Sequence, residues 1–220
     1  MQLGHSNRRP RFRGVSHAFG AVASVAGAVL LWQASVGDPG KQVSMMVFAA
    51  SLIGLYTSSA TYHLGEWSGK LYGFFRRLDH SMIFVLIAGT YTPFCVHALE
   101  GSARLTMLSL AWGAALGGVA TKLLFPRLPR WVTVPLYLAV SYIALVDIEG
   151  LAAGLRPAAM GLVVLGGVSY TVGAIIYGLR RPNPVPGVFG YHEVFHLLVI
   201  AGSLSHFLAL LYFVAPVARV

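Results

Sequence analysis

The residues of this chain best suited to chemistry are few, and they sit where ionisable groups are costly. The stretch YHEVFH, residues 191–196, spells HExxH inside a long apolar run near the C-terminus. In that pattern two His one helical turn apart hold a zinc ion and the Glu activates water. His192 and His196 lie about 40° apart in azimuth and about 6 Å apart in rise on a helix, so both rings can meet one ion. SSATYH, residues 58–63, repeats the four-residue spacing with Ser59 and His63. RLDH, residues 77–80, adds a carboxylate, Asp79, and His80. Two His from one helix and His63 from another make three neutral nitrogen ligands with a fourth position open, the arrangement of a catalytic zinc. Zinc lowers the pKa of a bound water to about 7, and that water must also be oriented and lose a proton. Asp79 is the carboxylate placed to receive it, and Ser59 can hydrogen-bond the same water or a substrate carbonyl.

These side chains need elements that bring them to one depth. With 56% hydrophobic and only 10% charged residues over 220 positions, the chain departs far from the roughly 25% charge of soluble domains and reads as an integral membrane protein. Seven apolar runs approach the ~20 residues that cross the hydrocarbon layer as helix, at 16–36, 43–64, 79–99, 104–124, 131–149, 158–179 and 191–214. The expected fold is an all-α, seven-transmembrane-helix bundle, formed by one domain over residues 1–220.

The charges orient this bundle. Seven crossings put Arg8, Arg9, Arg11, Arg13, Lys70, Arg76, Arg77, Lys122, Arg127, Arg130, Arg180 and Arg181 on one side, and Lys41, Arg104, Arg156 and Arg219 on the other. By the positive-inside rule the N-terminus is cytoplasmic and the C-terminus outside, in the plasma (inner) membrane. The net charge of +9 is thus a mark of topology, and membrane lipids, not nucleic acid, are the expected partners. His63, Asp79, His192, Glu193 and His196 then fall near the cytoplasmic end of three spans, with Ser59 one turn deeper.

The other polar positions carry blander expectations. Cys95 reads as a buried thiol. His206 lies about 15 Å beyond His196 along the helix and is expected to bond a neighbouring helix. His5, His17 and His97 read as interfacial, His80 as an outer neighbour of the metal or a headgroup contact, and Asp79 has an ion pair with Arg76 or Arg77 as its alternative. Pro93 is expected to kink the third helix, with Thr90 and Thr92 near the freed carbonyls. The Pro-rich RRPNPVPG, residues 180–187, reads as a short stiff loop.

SSATYH at 58–63, RLDHSMIFVLIAGTYTPF at 77–94 and HEVFHLLVIAGSLSHF at 192–207 together resemble the hemolysin III branch of the progestin and adiponectin receptor group. The resemblance implies a seven-helix zinc protein akin to alkaline ceramidases. His63, His192 and His196 match its ligands, and Asp79 and Ser59 match the carboxylate and serine beside the water. In that pattern Glu193 is a tolerated neighbour with a supporting or interfacial role.

Three readings of function follow. The first is a zinc-dependent membrane hydrolase of lipid amide or ester bonds. The second is a non-enzymatic sensor, transporter or cytolytic protein with structural zinc. The third is an intramembrane metalloprotease using Glu193 as base.

Overall fold

The computed structural model describes Pro10 and residues 12–216, so Arg8, Arg9, Arg11, His5 and Arg219 lie outside the described residues. The helices in chain order are α1 (Val15–Ala34), α2 (Pro39–Leu64), α3 (Gly69–Ala98), α4 (Gly101–Leu124), α5 (Arg130–Ser141), α6 (Ile148–Gly154), α7 (Pro157–Leu179) and α8 (Tyr191–Ala209). A 3-10 turn at Tyr142–Asp147 joins α5 to α6, and a π turn at Leu210–Val214 extends α8. Seven of these stretches are long and apolar enough to cross a membrane, with α5, the 3-10 turn and α6 forming the fifth span. Helix is what hydrocarbon demands, because each backbone N–H and C=O must be satisfied within its own segment.

Burial divides the bundle into an inner and an outer set. In the most apolar windows of α2 and α3, 56% of residues are buried, and 44% in the α8 span, against 17% to 28% in the others. A core of Phe48, Leu52, Leu55, Phe94, Val199 and Leu210 joins the inner three. A second core of Phe84, Ala88, Ala115 and Tyr137 ties α3 to α4 and α5. Outward, Phe19, Val22, Leu105, Leu116, Leu145 and Leu179 are exposed, an apolar surface suited to lipid.

Two boundaries differ from the expected ones by five residues or more. The third span begins at Gly69, ten residues before the expected residue 79. Hydropathy ends at the basic residues Lys70, Arg76 and Arg77, whereas helix geometry tolerates them because their stems lie along apolar surface while the charges reach water. Asp79 therefore sits in the third turn of α3, not at its start. The fifth span continues to Gly154 because Asp147 caps α6, its carboxylate accepting the Gly150 N–H at 3.0 Å. The helix runs on through Pro93. Thr90 and Thr92 donate to the Leu86 and Ala88 carbonyls at 2.8 and 2.9 Å, so neither hydroxyl reaches the carbonyl of Gly89 that the proline frees.

α7 packs along α8 at a glycine contact. A Cβ on Gly166 would fall within the His206 ring, whose Nε2 bonds the Val163 carbonyl at 3.1 Å. This is the expected interhelical role of His206. Gly166→Ala is expected to lower stability by about 1–3 kcal/mol while leaving metal content unchanged. A thermal melt in detergent with elemental analysis of the same sample checks both outcomes.

Candidate metal centre

The centre is assembled where the last turn of α2 meets the first turns of α8. Helix α8 starts at Tyr191, and Glu193 fixes that start: its Oε2 accepts the Gly190 N–H at 2.8 Å. The start sets the azimuth of His192 and His196, whose ring centroids lie 4.6 Å apart. His63 comes from α2, one residue before its end, with its ring 4.8 Å from His192 and 5.1 Å from His196. One ligand nitrogen from each of the three lies within 4.8 Å of the others.

The donor set fits a metal ion. Nε2 of His192 and Nε2 of His63 face each other at 3.2 Å, close to the ~3.3 Å edge of a tetrahedron with Zn–N bonds of ~2.05 Å. Nδ1 of His196 is buried with no hydrogen-bond partner among the described residues. An orphaned nitrogen at 2% exposure is costly, by about 1–3 kcal/mol, unless something bonds to the ring.

The expected auxiliary residues are close by. Asp79 Oδ2 lies 4.0 Å from His63 Nε2 and 3.5 Å from His80 Nδ1. At those distances it is a neighbour of the ligand cluster, within reach through one intervening water. Ser59 is buried beside it, a hydrogen-bond partner of its carboxylate. Among the described residues Asp79 makes no ion pair with Arg76 or Arg77. His80 Nδ1 bonds the Arg76 carbonyl at 2.7 Å, which holds its ring next to Asp79.

Glu193 does not face this chemistry. One oxygen caps the helix and the other pairs with Arg13. Both oxygens of the familiar-looking Glu are thus engaged in holding the helix start and Arg13.

The expectation that His17 is interfacial is overturned. It is 3% exposed and its ring stacks on His196, with centroids 3.8 Å apart and planes 10° from parallel. His97, also expected at an interface, is 4% exposed. A signal for His17 was present in the sequence: His17, Ser24 and Leu31 recur every seven residues and are the buried residues of α1. Just before them, Gly14 takes φ +86°, and a Cβ there would sit 2.7 Å from the His63 Cβ. Residues 13–17 thus pass directly over the cluster, with Arg13 on Glu193, Gly14 on His63 and His17 on His196.

Seven spans around three converging His define a polytopic membrane protein whose interior can hold a metal ion. The profile described as Haemolysin-III related matches residues 5–207. The chain is 32% identical to the Hemolysin-3 homolog of Bacillus subtilis (strain 168) over 205 residues, 92% of this chain and 93% of that one. It is likewise 32% identical to the Hemolysin-3 of Bacillus cereus over 206 residues, 93% and 91% of the two chains. It is 25% identical to the Adiponectin receptor protein of Drosophila melanogaster over 216 residues, 87% of this chain and 48% of that one. The chain belongs to the haemolysin-III related family, within the wider progestin and adiponectin receptor superfamily.

His63→Ala, His192→Ala and His196→Ala are each expected to strip the metal from purified protein, whereas His206→Ala retains it; elemental analysis reads the difference. Glu193→Ala is expected to cost about 2–4 kcal/mol, because it leaves Arg13 unpaired and the Gly190 N–H unsatisfied. Thermal unfolding compared with wild type measures it.

Proposed function

We propose that this protein is a zinc-dependent hydrolase of lipid amide or ester bonds, working inside the plasma (inner) membrane with the metal centre at its cytoplasmic end. The observation that carries the reading is a mostly apolar cavity of about 330 Å³ that opens at one end onto the metal centre. Ser59, Asp79, His192 and His196 line that end. From there it runs past Leu55, Ile83 and Phe94 as far as His206, and it reaches the exposed Leu145, Val164 and Val168 of the fifth and sixth spans. An apolar tunnel with a hydrolytic group set at one end suits a lipid chain carrying a carbonyl at its polar end.

His63, His192 and His196 would hold the zinc. When bound, zinc acidifies a water and polarises a carbonyl oxygen. Asp79 accepts the proton that the water loses and returns it to the leaving nitrogen or oxygen. Ser59 fixes the Asp79 carboxylate through its hydroxyl and lies near enough to the same end of the cavity to donate to a substrate oxygen. The apolar walls exclude bulk water and strengthen each of these polar contacts. The hemolysin names of the Bacillus relatives fit this reading, since lipid hydrolysis alters membrane integrity.

The positive-inside rule supports that orientation, since Arg13, Arg76, Lys122, Arg130 and Arg180 gather towards the metal end. A single cysteine placed in the 180–187 loop is expected to react only with reagents on the cytoplasmic side; labelling from outside intact cells would reverse the assignment.

Asp79→Asn is expected to keep the metal and lose turnover of a lipid amide or ester by about 10²–10⁴-fold. Product formation in nanodiscs, followed by mass spectrometry, tests it. Full turnover by this variant would remove Asp79 from the chemistry. Zinc-free protein that keeps both its fold and its full cellular effect would favour the non-enzymatic reading instead.

A further inference from the structure

Beside the metal centre lies a second pocket, of about 520 Å³, that the chemistry above does not use. It is lined by Arg76 of α3, Arg130 and Trp131 of α5, Arg180 at the end of α7, Leu128, Pro129 and Gly178. Three guanidiniums from three spans converge there, and among the described residues no carboxylate lines the pocket. Among the described residues neither Arg76 nor Arg180 has an ion-pair partner. Lys122, buried nearby on Thr133 at 2.8 Å, adds to the positive potential around Arg76. Like charges gathered in one place repel, so a pocket built this way is set up for an anion.

The three arginines are not equivalent. Arg130 is fixed: it donates to the Tyr177 carbonyl at 3.2 Å and the Tyr191 hydroxyl at 3.1 Å, and it lies 4.4 Å from the Tyr177 ring centre. Arg76 is half-buried and Arg180 is exposed, and both are free to fold onto a ligand. The guanidinium fork matches phosphate oxygens two at a time. The apolar part of the wall indicates what the phosphate is attached to. Trp131 is 78% exposed, as an indole at a membrane interface is, and Leu128 stands beside it.

We propose that this pocket binds the phosphate group of an anionic phospholipid, with Arg76 and Arg180 closing on the phosphate beside a fixed Arg130 and the glycerol end resting on Trp131 and Leu128. Tyr177, whose ring packs against Arg130, lines the cavity of the metal centre and not this pocket, so the lipid phosphate sits next to that cavity. Nothing in the assignment depends on turnover.

The test uses the full chain in nanodiscs of phosphatidylcholine, with phosphatidylglycerol titrated in and retained lipid counted by native mass spectrometry. The double variant Arg76→Gln, Arg180→Gln is expected to bind phosphatidylglycerol on the order of tenfold more weakly than wild type, with unchanged metal content. The control Arg77→Gln, Arg127→Gln removes the same charge from the same end, outside the pocket, and is expected to bind as wild type. Arg180→Gln alone, a change at an exposed helix end, is expected to lose about threefold and keeps the test readable should the double variant fail to fold. Added inorganic phosphate separates the two sources of the chemistry. Displacement of the lipid shows that the phosphate group alone is recognised, and lipid that stays bound shows that the headgroup and chains contribute. Equal binding by wild type and the Arg76, Arg180 variant, or an equal loss in the control, overturns the proposal.

Discussion

Hydrocarbon offers no hydrogen bonds, and this one constraint organises the interior of the bundle. Every polar atom placed between the helices must find a partner in the protein. Most do so locally: Ser44, Ser51 and Ser58 return their hydroxyls to carbonyls three residues back, and Ser203 and Ser205 to carbonyls four back. Others reach across. Tyr56 meets Ser203 at 2.6 Å, Lys122 meets Thr133, and Lys41 reaches the Ala215 carbonyl beyond the end of α8. Against this background a few buried side-chain atoms have no hydrogen-bond partner among the described residues, among them atoms of Ser81, Tyr170, His206, His17 and His196. Two of these, His17 and His196, stack on each other at the place where α2 and α8 present ligand nitrogens to one point.

The parts of this architecture that depend on local pattern were legible in the sequence. Apolar runs of near twenty residues gave seven spans, and the four-residue spacing of His192 and His196 gave one shared face. Depth, inferred from the alternation of spans, brought His63 and Asp79 to the same level. Less legible were features set by partners far along the chain. Nothing near Glu193 says that its carboxylate meets Arg13, since the two are separated by 180 positions. The early start of α3 escaped because hydropathy measures fit to lipid, and helix propensity does not stop where lipid does. His17 escaped because a single His near a helix end is usually wetted; only its seven-residue alignment with Ser24 and Leu31 marks it as inward-facing.

The HExxH spelling illustrates how one string can serve different physics. Its two His are set by helical spacing and keep their meaning as ligands. Its Glu acquires meaning only from surroundings, and here those are an N–H at the start of its own helix and a guanidinium from the segment before α1. The carboxylate beside the ligand cluster comes from α3 instead, at 4.0 Å from His63. Within one superfamily fold, the residue that catches the eye supports the helix, and the carboxylate beside the three His lies more than a hundred residues earlier.

The contacts of residues 13–17 over the metal centre also set an order of assembly. Arg13 and His17 leave the ribosome first, whereas their partners Glu193 and His196 belong to the last span. At about 5–20 residues per second, some ten to forty seconds separate the two ends. Through that interval His17 has the Tyr56 ring beside it but not His196, and His63 lacks both His192 and His196. The centre is therefore a closing step: a chain cut short before its seventh span carries most of the bundle and no site at all.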